Sequence, residues 1–320
     1  MSSQPTKSVF ITGGSGYIGS TLIPLAIYSG YTVHALSRTP TSDAKLISLG
    51  AIPVRGDLSS HSILTSSASS ADIVFSLADS ISDNYGTFSM ETRIATNNGG
   101  VTALAAGLRG TGKPLIVTSG SLAAAPDPEG RETDETAPPF TEFSPLVIEA
   151  EKHAFGLAEE YGIRVCAIRL APYVYGRMGS GVKIFMGLAM KSGEMFYVGH
   201  GQVRVSTVHV EDAARLYLKI AEKGRSGEAY NATAETDVSQ RELAEAIGRV
   251  VGLKTVSKSF EEAEKQLGWF FAKFLSVGNR ASSRKAREEL GWEPEVKRGI
   301  LEEVEKGSYV QLAEELKKVV

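Results

Sequence analysis

Short apolar, β-branched runs recur along the first half of the chain, and stretches with helical spacing of apolar positions lie between them. The runs at Ser8 to Thr12, Thr32 to Leu36, Ile52 to Arg55, Ile73 to Leu77, Leu115 to Thr118 and Val165 to Leu170 predict strands. Helices are predicted over Tyr17 to Ser29, Thr41 to Leu49, Ser59 to Ser67, Phe88 to Arg109 and Pro145 to Tyr161. Strand–helix alternation of this kind needs crossover connections, so it predicts a parallel sheet with helices on both faces, a doubly wound α/β fold.

The rhythm changes after Leu170. A Gly- and Tyr-rich loop is predicted at Ala171 to Gly181, then a helix at Val182 to Ser192, then loop and short strands from Gly193 to Val205. Amphipathic helices follow at Val210 to Ala221 and Ser239 to Val251, with a short strand at Glu228 to Asn231, and the remainder is mostly helical in pattern. The expected division is residues 1–170, mainly dinucleotide-binding, and 171–320, mainly a smaller C-terminal substrate lobe with some elements returning to the sheet. The polar, Pro-rich stretch Ala123 to Pro139 reads as a surface loop near the site entrance.

The segment Val9 to Ser20, VFITGGSGYIGS, runs from a strand through a glycine turn into a helix. Gly13 permits the tight turn, Gly16 lets the backbone approach a pyrophosphate, and Gly19 lets the helix pack on the strand. The helix N-terminus then offers N–H groups and positive potential to phosphate. An acid normally closes the second strand of an NAD site, holding the ribose 2′-hydroxyl. Here Ser37 stands at that place, 37 − 19 = 18 positions after Gly19, and Arg38 follows. A hydroxyl and a guanidinium suit a 2′-phosphate, so the expected cofactor is NADP(H). Asp57, after the third strand, could accept from an adenine amino group or cap the next helix.

Composition narrows the field. The chain has 320 residues, a net charge of −3 and one cysteine. That charge gives no nucleic-acid footprint, and no apolar run approaches the ~20 residues needed to span a bilayer. The polar start, Met1 to Lys7, leads directly into a strand, so no signal peptide is expected. Cys166 lies in an apolar run and reads as a buried packing residue, and the default setting is cytoplasmic. No metal site is expected. His209 with Glu211 and Asp212 sits at a helix start, where the acids complement the helix dipole.

Further motifs extend along nearly the whole chain: GDL (Gly56 to Leu58), LAD (Leu77 to Asp79), NNGG from Asn97, VTSGS (Val117 to Ser121), RLAPYVYG (Arg169 to Gly176), VHVEDA (Val208 to Ala213) and ELGWEP (Glu289 to Pro294). Together with TGGSGYIG they resemble the extended short-chain dehydrogenase/reductases of the NAD-dependent epimerase/dehydratase family. The resemblance implies a Rossmann domain, a smaller C-terminal substrate lobe, a nicotinamide cofactor and a homodimer. It places Gly13, Ser15, Gly16, Tyr17 and Ile18 around the pyrophosphate. Leu77 and Ala78 fall on the adenine–ribose side, and Pro172 to Val174 beside the nicotinamide. Gly19, Leu58 and Asp79 join the expected cofactor set through their motifs.

The resemblance also implies a serine after the fifth strand and a Tyr-x-x-x-Lys pair on the next helix. Ser119 and Ser121 are the two serine candidates, but no Tyr lies between Ser121 and Lys152. Counting back from Glu151 places Val147 and Phe143 where Lys and Tyr would stand. Tyr173 and Tyr175, near the expected nicotinamide, are alternative proton donors; Asp79 and Lys113 are others. Phe185, Met186, Met190, Met195, Phe196, Trp269, Phe270, Phe271 and Phe274 read as lobe core or as the wall of a flat apolar substrate site. The expected function is NADP(H)-dependent reduction or oxidation at a C=O or C=N group of a small molecule. An epimerase, dehydratase or isomerase with retained cofactor, and a non-catalytic nicotinamide sensor, are the rivals.

Overall fold

The computed structural model describes residues 7–80 and 90–318. The expected helix start at Phe88 lies outside the described residues. In chain order the elements begin β1 (Ser8–Thr12), α1 (Gly19–Tyr28), β2 (Thr32–Ser37), α2 (Pro40–Ser48), β3 (Ile52–Arg55), α3 (His61–Ser69), β4 (Ile73–Ser76), α4 (Met90–Gly107) and β5 (Pro114–Gly120). They continue with α5 (Pro145–Tyr161), β6 (Arg164–Leu170), β7 (Tyr173–Tyr175), α6 (Ser180–Ser192), β8 (Met195–Val198), β9 (Arg204–His209), α7 (Val210–Lys223), β10 (Ala229–Ala232), β11 (Glu235–Ser239) and α8 (Gln240–Val251). The last are β12 (Thr255–Lys258), α9 (Phe260–Leu267), α10 (Trp269–Ser276), α11 (Arg284–Leu290), α12 (Ile300–Lys306) and α13 (Ser308–Lys317).

A seven-stranded parallel sheet runs in the order β10-β6-β5-β4-β1-β2-β3. Strand β4 is buried throughout, as a central strand covered on both faces must be. Pro53 sits in β3 at the sheet edge, where its missing N–H costs no ladder bond. One face packs Leu22, Ile23, Leu216, Tyr217, Leu290 and Trp292 from the α1, α7 and α11 side. The other packs Leu64, Leu104, Leu108 and Leu157 from α3, α4 and α5. The order reverses between β1 and β4, and their carboxyl ends open a crevice there, where doubly wound sheets bind ligands.

A second core gathers Phe185, Met186, Leu243, Ile247, Leu275 and Tyr309 from α6, α8, α10 and α13. It is bounded by a three-stranded sheet, β11-β9-β7, and a two-stranded one, β12-β8. Strand β7 forms inside the stretch expected to be loop, because it pairs in parallel with β9 over Tyr173–Tyr175. The polar stretch after β5 is likewise tied down: Thr133 bridges to Ala281, and the Asn231 N–H donates to the Glu135 carboxylate at 2.7 Å. Burial pushes the Glu135 carboxyl up against the pull of that bond. Among the described residues, no helix is long and apolar enough to cross a membrane.

Candidate active site

The glycine turn is held by contacts that only hydrogen in place of a side chain permits. Gly13 has φ +74°, and a Cβ there would stand 2.8 Å from the Ala78 nitrogen. A Cβ on Gly19 would stand 2.3 Å from the Gly13 carbonyl oxygen, so α1 starts hard against the turn. Gly16 is exposed, with only the Gly13 oxygen near its missing side chain, at 3.1 Å. Helix α1 begins without a side-chain cap. An open backbone cradle at the switch point, ending on an uncapped helix, fits the pyrophosphate of a dinucleotide.

Thr12 closes the floor of this cradle. It is fully buried, and its Oγ1 accepts from the N–H groups of Leu77 and Ala78, both at 3.2 Å. Leu77, Ala78 and Asp79 are half-buried along the end of β4. Asp79 forms an ion pair with Arg93 of α4. Leu58 is buried against Gly100. Asp57 Oδ1 accepts from the Ser59 N–H and the Ser60 hydroxyl, each at 2.9 Å, so this carboxylate shapes the turn into α3.

At the end of β2, Ser37 is buried and its hydroxyl donates to the Thr39 carbonyl at 3.3 Å. The exposed group at this corner is therefore Arg38, not the serine. Lys45 on α2 adds a second cation, its Nζ donating to the Ser15 carbonyl of the glycine turn at 2.7 Å. Asp43 is paired with Arg55. No carboxylate stands at the end of β2 itself.

Tyr17 and Ile18 are half-buried at the entry to α1. The Tyr17 hydroxyl donates to the Gly176 carbonyl at 2.7 Å, and its ring fills the space that a side chain on Gly179 would need. Tyr309 of α13 completes this latch: its oxygen accepts the Gly176 N–H at 3.0 Å and its hydroxyl donates to the Gly179 carbonyl at 2.8 Å. Burial, reinforced by Tyr309, raises the Tyr17 phenol well above its ordinary value. Pro172 is half-buried and Val174 buried beside the ends of β6 and β7.

The two serines differ. Ser121 is sealed, its hydroxyl donating to Asn279 Oδ1 at 2.9 Å. Ser119 is half-buried at the end of β5 and donates to Glu151 Oε2 at 2.6 Å. Arg169, directly across from Ser119 in the β5–β6 register, forks onto the same carboxylate. Thr118 belongs to the VTSGS motif, which assigns it no role of its own, and it is exposed near the end of a central strand. That combination marks the crevice floor. Its Oγ1 lies 2.9 Å from the Ser76 carbonyl and 2.6 Å from the Tyr217 hydroxyl. A carbonyl cannot donate, so Thr118 gives its proton to Ser76 and receives that of Tyr217.

The alternative proton donors are placed elsewhere. The Tyr173 side chain turns into the C-terminal lobe, against Phe185 and Phe274, and its hydroxyl donates to Gln240 Oε1 at 2.9 Å. Tyr175 is buried with its hydroxyl on the Arg298 carbonyl at 2.9 Å. Burial raises both phenols, so neither is a poised acid or base for the crevice. Lys113 precedes β5 and therefore sits at the opposite edge of the parallel sheet, on Asp72 and the Ala71 carbonyl. His209 is itself the cap of α7: its Nδ1 accepts the Glu211 N–H at 3.3 Å, its ring lies edge-on to Tyr175, and burial lowers its pKa. Asp212 is fully buried and accepts the Glu295 N–H at 2.7 Å, while the Trp292 indole donates to its carbonyl at 3.0 Å. These motifs join segments rather than reacting groups. Cys166 is buried, and burial pushes its thiol up to about 11.

An aromatic cluster stands between the two lobes. Phe143, just before α5, stacks on Phe270 of α10 with centroids 5.4 Å apart, and Trp269 and Phe140 flank it. Trp269 and Phe270 remain 46% and 55% exposed, so this apolar surface is open at the side.

A model of the NAD dependent epimerase/dehydratase family matches residues 9–233. An uncharacterized protein of Saccharomyces cerevisiae is 30% identical over 299 residues, covering 92% of this chain and 97% of the relative. Sterol-4-alpha-carboxylate 3-dehydrogenase, decarboxylating, of Dictyostelium discoideum is 27% identical over 248 residues, 74% of each chain. Among solved structures, the UDP-glucose 4-epimerase of Thermotoga maritima superposes with a TM-score of 0.76 at 22% identity, over 98% of this chain and 100% of that one.

Proposed function

The chain belongs to the NAD dependent epimerase/dehydratase family, and from that premise we propose that it is an NADP(H)-dependent oxidoreductase acting on a C=O or C=N group of a small apolar or aromatic molecule. The observation that carries the cofactor reading is the end of β2. Where an NAD site keeps an acid, this chain has Ser37 and then an exposed Arg38, with Lys45 reaching the glycine turn from α2. A guanidinium fork matches phosphate oxygens, and a carboxylate there would repel them.

Gly13, Ser15, Gly16, Tyr17, Ile18 and Gly19 would hold the pyrophosphate. Leu58, Leu77, Ala78 and Asp79 would line the adenosine side, with Pro172 and Val174 beside the nicotinamide. When bound, the reduced nicotinamide supplies two electrons and a hydrogen to an electrophilic carbon. Ser119, the open serine of the pair, meets the reactant. Thr118 and the Phe143–Phe270 stack bound the space in which it lies. One relative is named a sterol-4-alpha-carboxylate 3-dehydrogenase, and a sterol is a reactant such an aromatic wall would suit.

Calorimetric titration with NADPH and NADH, followed by turnover of a panel of ketones and imines, tests the reading. Tighter binding of NADPH and loss of its absorbance with a panel member are expected. Equal affinity for both cofactors removes the phosphate argument. Product formation without net absorbance change assigns an isomerising reaction with retained cofactor instead.

A further inference from the structure

Resting on that reading, we infer that the site is built for a reactant that brings its own hydrogen-bond donor, an iminium N–H⁺, in preference to a ketone, and that Glu151 is the positioning residue that imposes this choice through Ser119.

The argument is a count of protons at the crevice floor. A carboxylate accepts and does not donate, so the 2.6 Å contact between Ser119 and Glu151 holds the serine's single proton. Glu151 is buried and cannot swing away, because Arg169 grips both of its oxygens from the next strand. The neighbouring hydroxyls are committed in the same direction. Thr118 donates to Ser76, Ser121 faces Asn279, Tyr173 faces Gln240 and Tyr175 faces Arg298. Ser121, Tyr173 and Tyr175 are sealed away, so at the end of β5, among the described residues, the open hydroxyls are those of Thr118 and Ser119, each with its proton already given to an inner acceptor.

That pattern discriminates between the two electrophiles. Reduction of a ketone leaves an alkoxide oxygen that needs a proton, and Ser119 has none to give without breaking its bond to Glu151. Reduction of an iminium needs none. The carbon gains a hydrogen with its electron pair from the reduced nicotinamide, the C=N π pair becomes the nitrogen lone pair, and a neutral amine leaves. Throughout, the N–H donates to Ser119 Oγ, whose partial negative charge is increased by the carboxylate behind it.

Dihydroisoquinoline and alpha-tetralone form a matched pair, bicycles of equal size differing at the reacting bond. With NADPH, the wild-type protein is expected to favour the imine by at least about tenfold in kcat/KM, one well-formed hydrogen bond to a charged group. Ser119→Ala lowers imine turnover selectively. Glu151→Gln removes the charge that holds the serine proton, and the imine-to-ketone ratio falls several-fold while thermal unfolding and NADPH binding report an intact fold. Glu151→Asp restores part of the ratio. A ratio unchanged in Glu151→Gln, or a wild-type preference for the ketone, overturns the inference. If neither compound is consumed, the redox reading fails separately, and calorimetry decides the donor question. Tetrahydroisoquinolinium binding more tightly than alpha-tetralone, and losing that advantage in Ser119→Ala, supports it. Binding of neither, or of both alike, overturns it.

Discussion

The Thr12 hydroxyl oxygen accepts hydrogen bonds from the main-chain N–H groups of both Leu77 and Ala78, so a single β1 side chain fixes the end of β4 across the switch point. Leu77 N–H has a second acceptor in the Thr12 carbonyl, at 3.2 Å, but the Ala78 bond runs to the hydroxyl. Thr12→Val keeps the shape and removes this acceptor. A buried N–H left without a partner costs about 1–3 kcal/mol. Urea unfolding of the variant is expected to show a loss in that range, with weaker cofactor binding, while Thr12→Ser retains most of both. A fully stable Thr12→Val would show that the end of β4 is held by other contacts.

Arg38 is expected to discriminate between the two nicotinamide cofactors. Arg38→Ala should weaken NADPH binding about 10- to 100-fold, the worth of a hydrogen bond to a charged group, and leave NADH nearly unchanged. Arg38→Asp should reverse the preference, because a carboxylate then stands at the exposed corner that the 2′-phosphate would occupy. Titration calorimetry with both cofactors reads the result. A parallel loss of both ligands would place Arg38 outside the 2′-corner.

Gly19 tolerates no side chain, since a Cβ would lie 2.3 Å from the Gly13 oxygen and 2.6 Å from Gly14 Cα, both backbone atoms that cannot step aside. Gly19→Ala is expected to destabilise the protein by about 1–3 kcal/mol, as overpacking does, and to abolish measurable NADPH uptake. Gly156→Ala is the control: nothing lies within 4 Å of its missing Cβ. There the added methyl should raise helix stability by up to about 1 kcal/mol. Normal cofactor binding by Gly19→Ala would contradict the close packing of α1 on the turn.

Tyr17, Tyr173, Tyr175, Tyr217 and Tyr309 all have phenols raised by burial. In the unfolded chain they ionise near the ordinary value of about 10. Their folded pKa values lie higher, so the unfolded state loses protons first and stability falls as pH rises past that point. Each such group adds up to about 1.4 kcal/mol per pH unit. Urea midpoints should therefore hold level between pH 8 and 9 and drop steeply above about pH 10. The drop should be shallower in Tyr173→Phe. A flat profile to pH 11 would show these phenols to be open to solvent.

The first half of the chain was written in local pattern. Strands β1 and β3 and helix α5 have the bounds that periodicity predicts, and the glycine turn lies between β1 and α1, as its spacing requires. What the pattern hid depends on distant partners. Tyr173–Tyr175 reads as loop between Pro172 and Gly176, and becomes strand β7 through pairing with residues more than thirty positions away. The same pairing points the Tyr173 ring into the C-terminal lobe, which its place in the sequence could not reveal. Ser119 and Ser121 are indistinguishable as letters two apart; only Glu151 on one side and Asn279 on the other separate an open hydroxyl from a sealed one. Glu151 served as a register mark on its helix, and its link to Ser119 needed the β5–α5 geometry.

Tyr309 closes a loop of very long sequence separation. Its phenolic oxygen bridges Gly176 and Gly179, against which Tyr17 rests, so a residue of the glycine turn is latched by a helix almost three hundred positions away (309 − 17 = 292). Contacts so far apart carry a large closure entropy, so this fastening depends on the rest of the fold being in place.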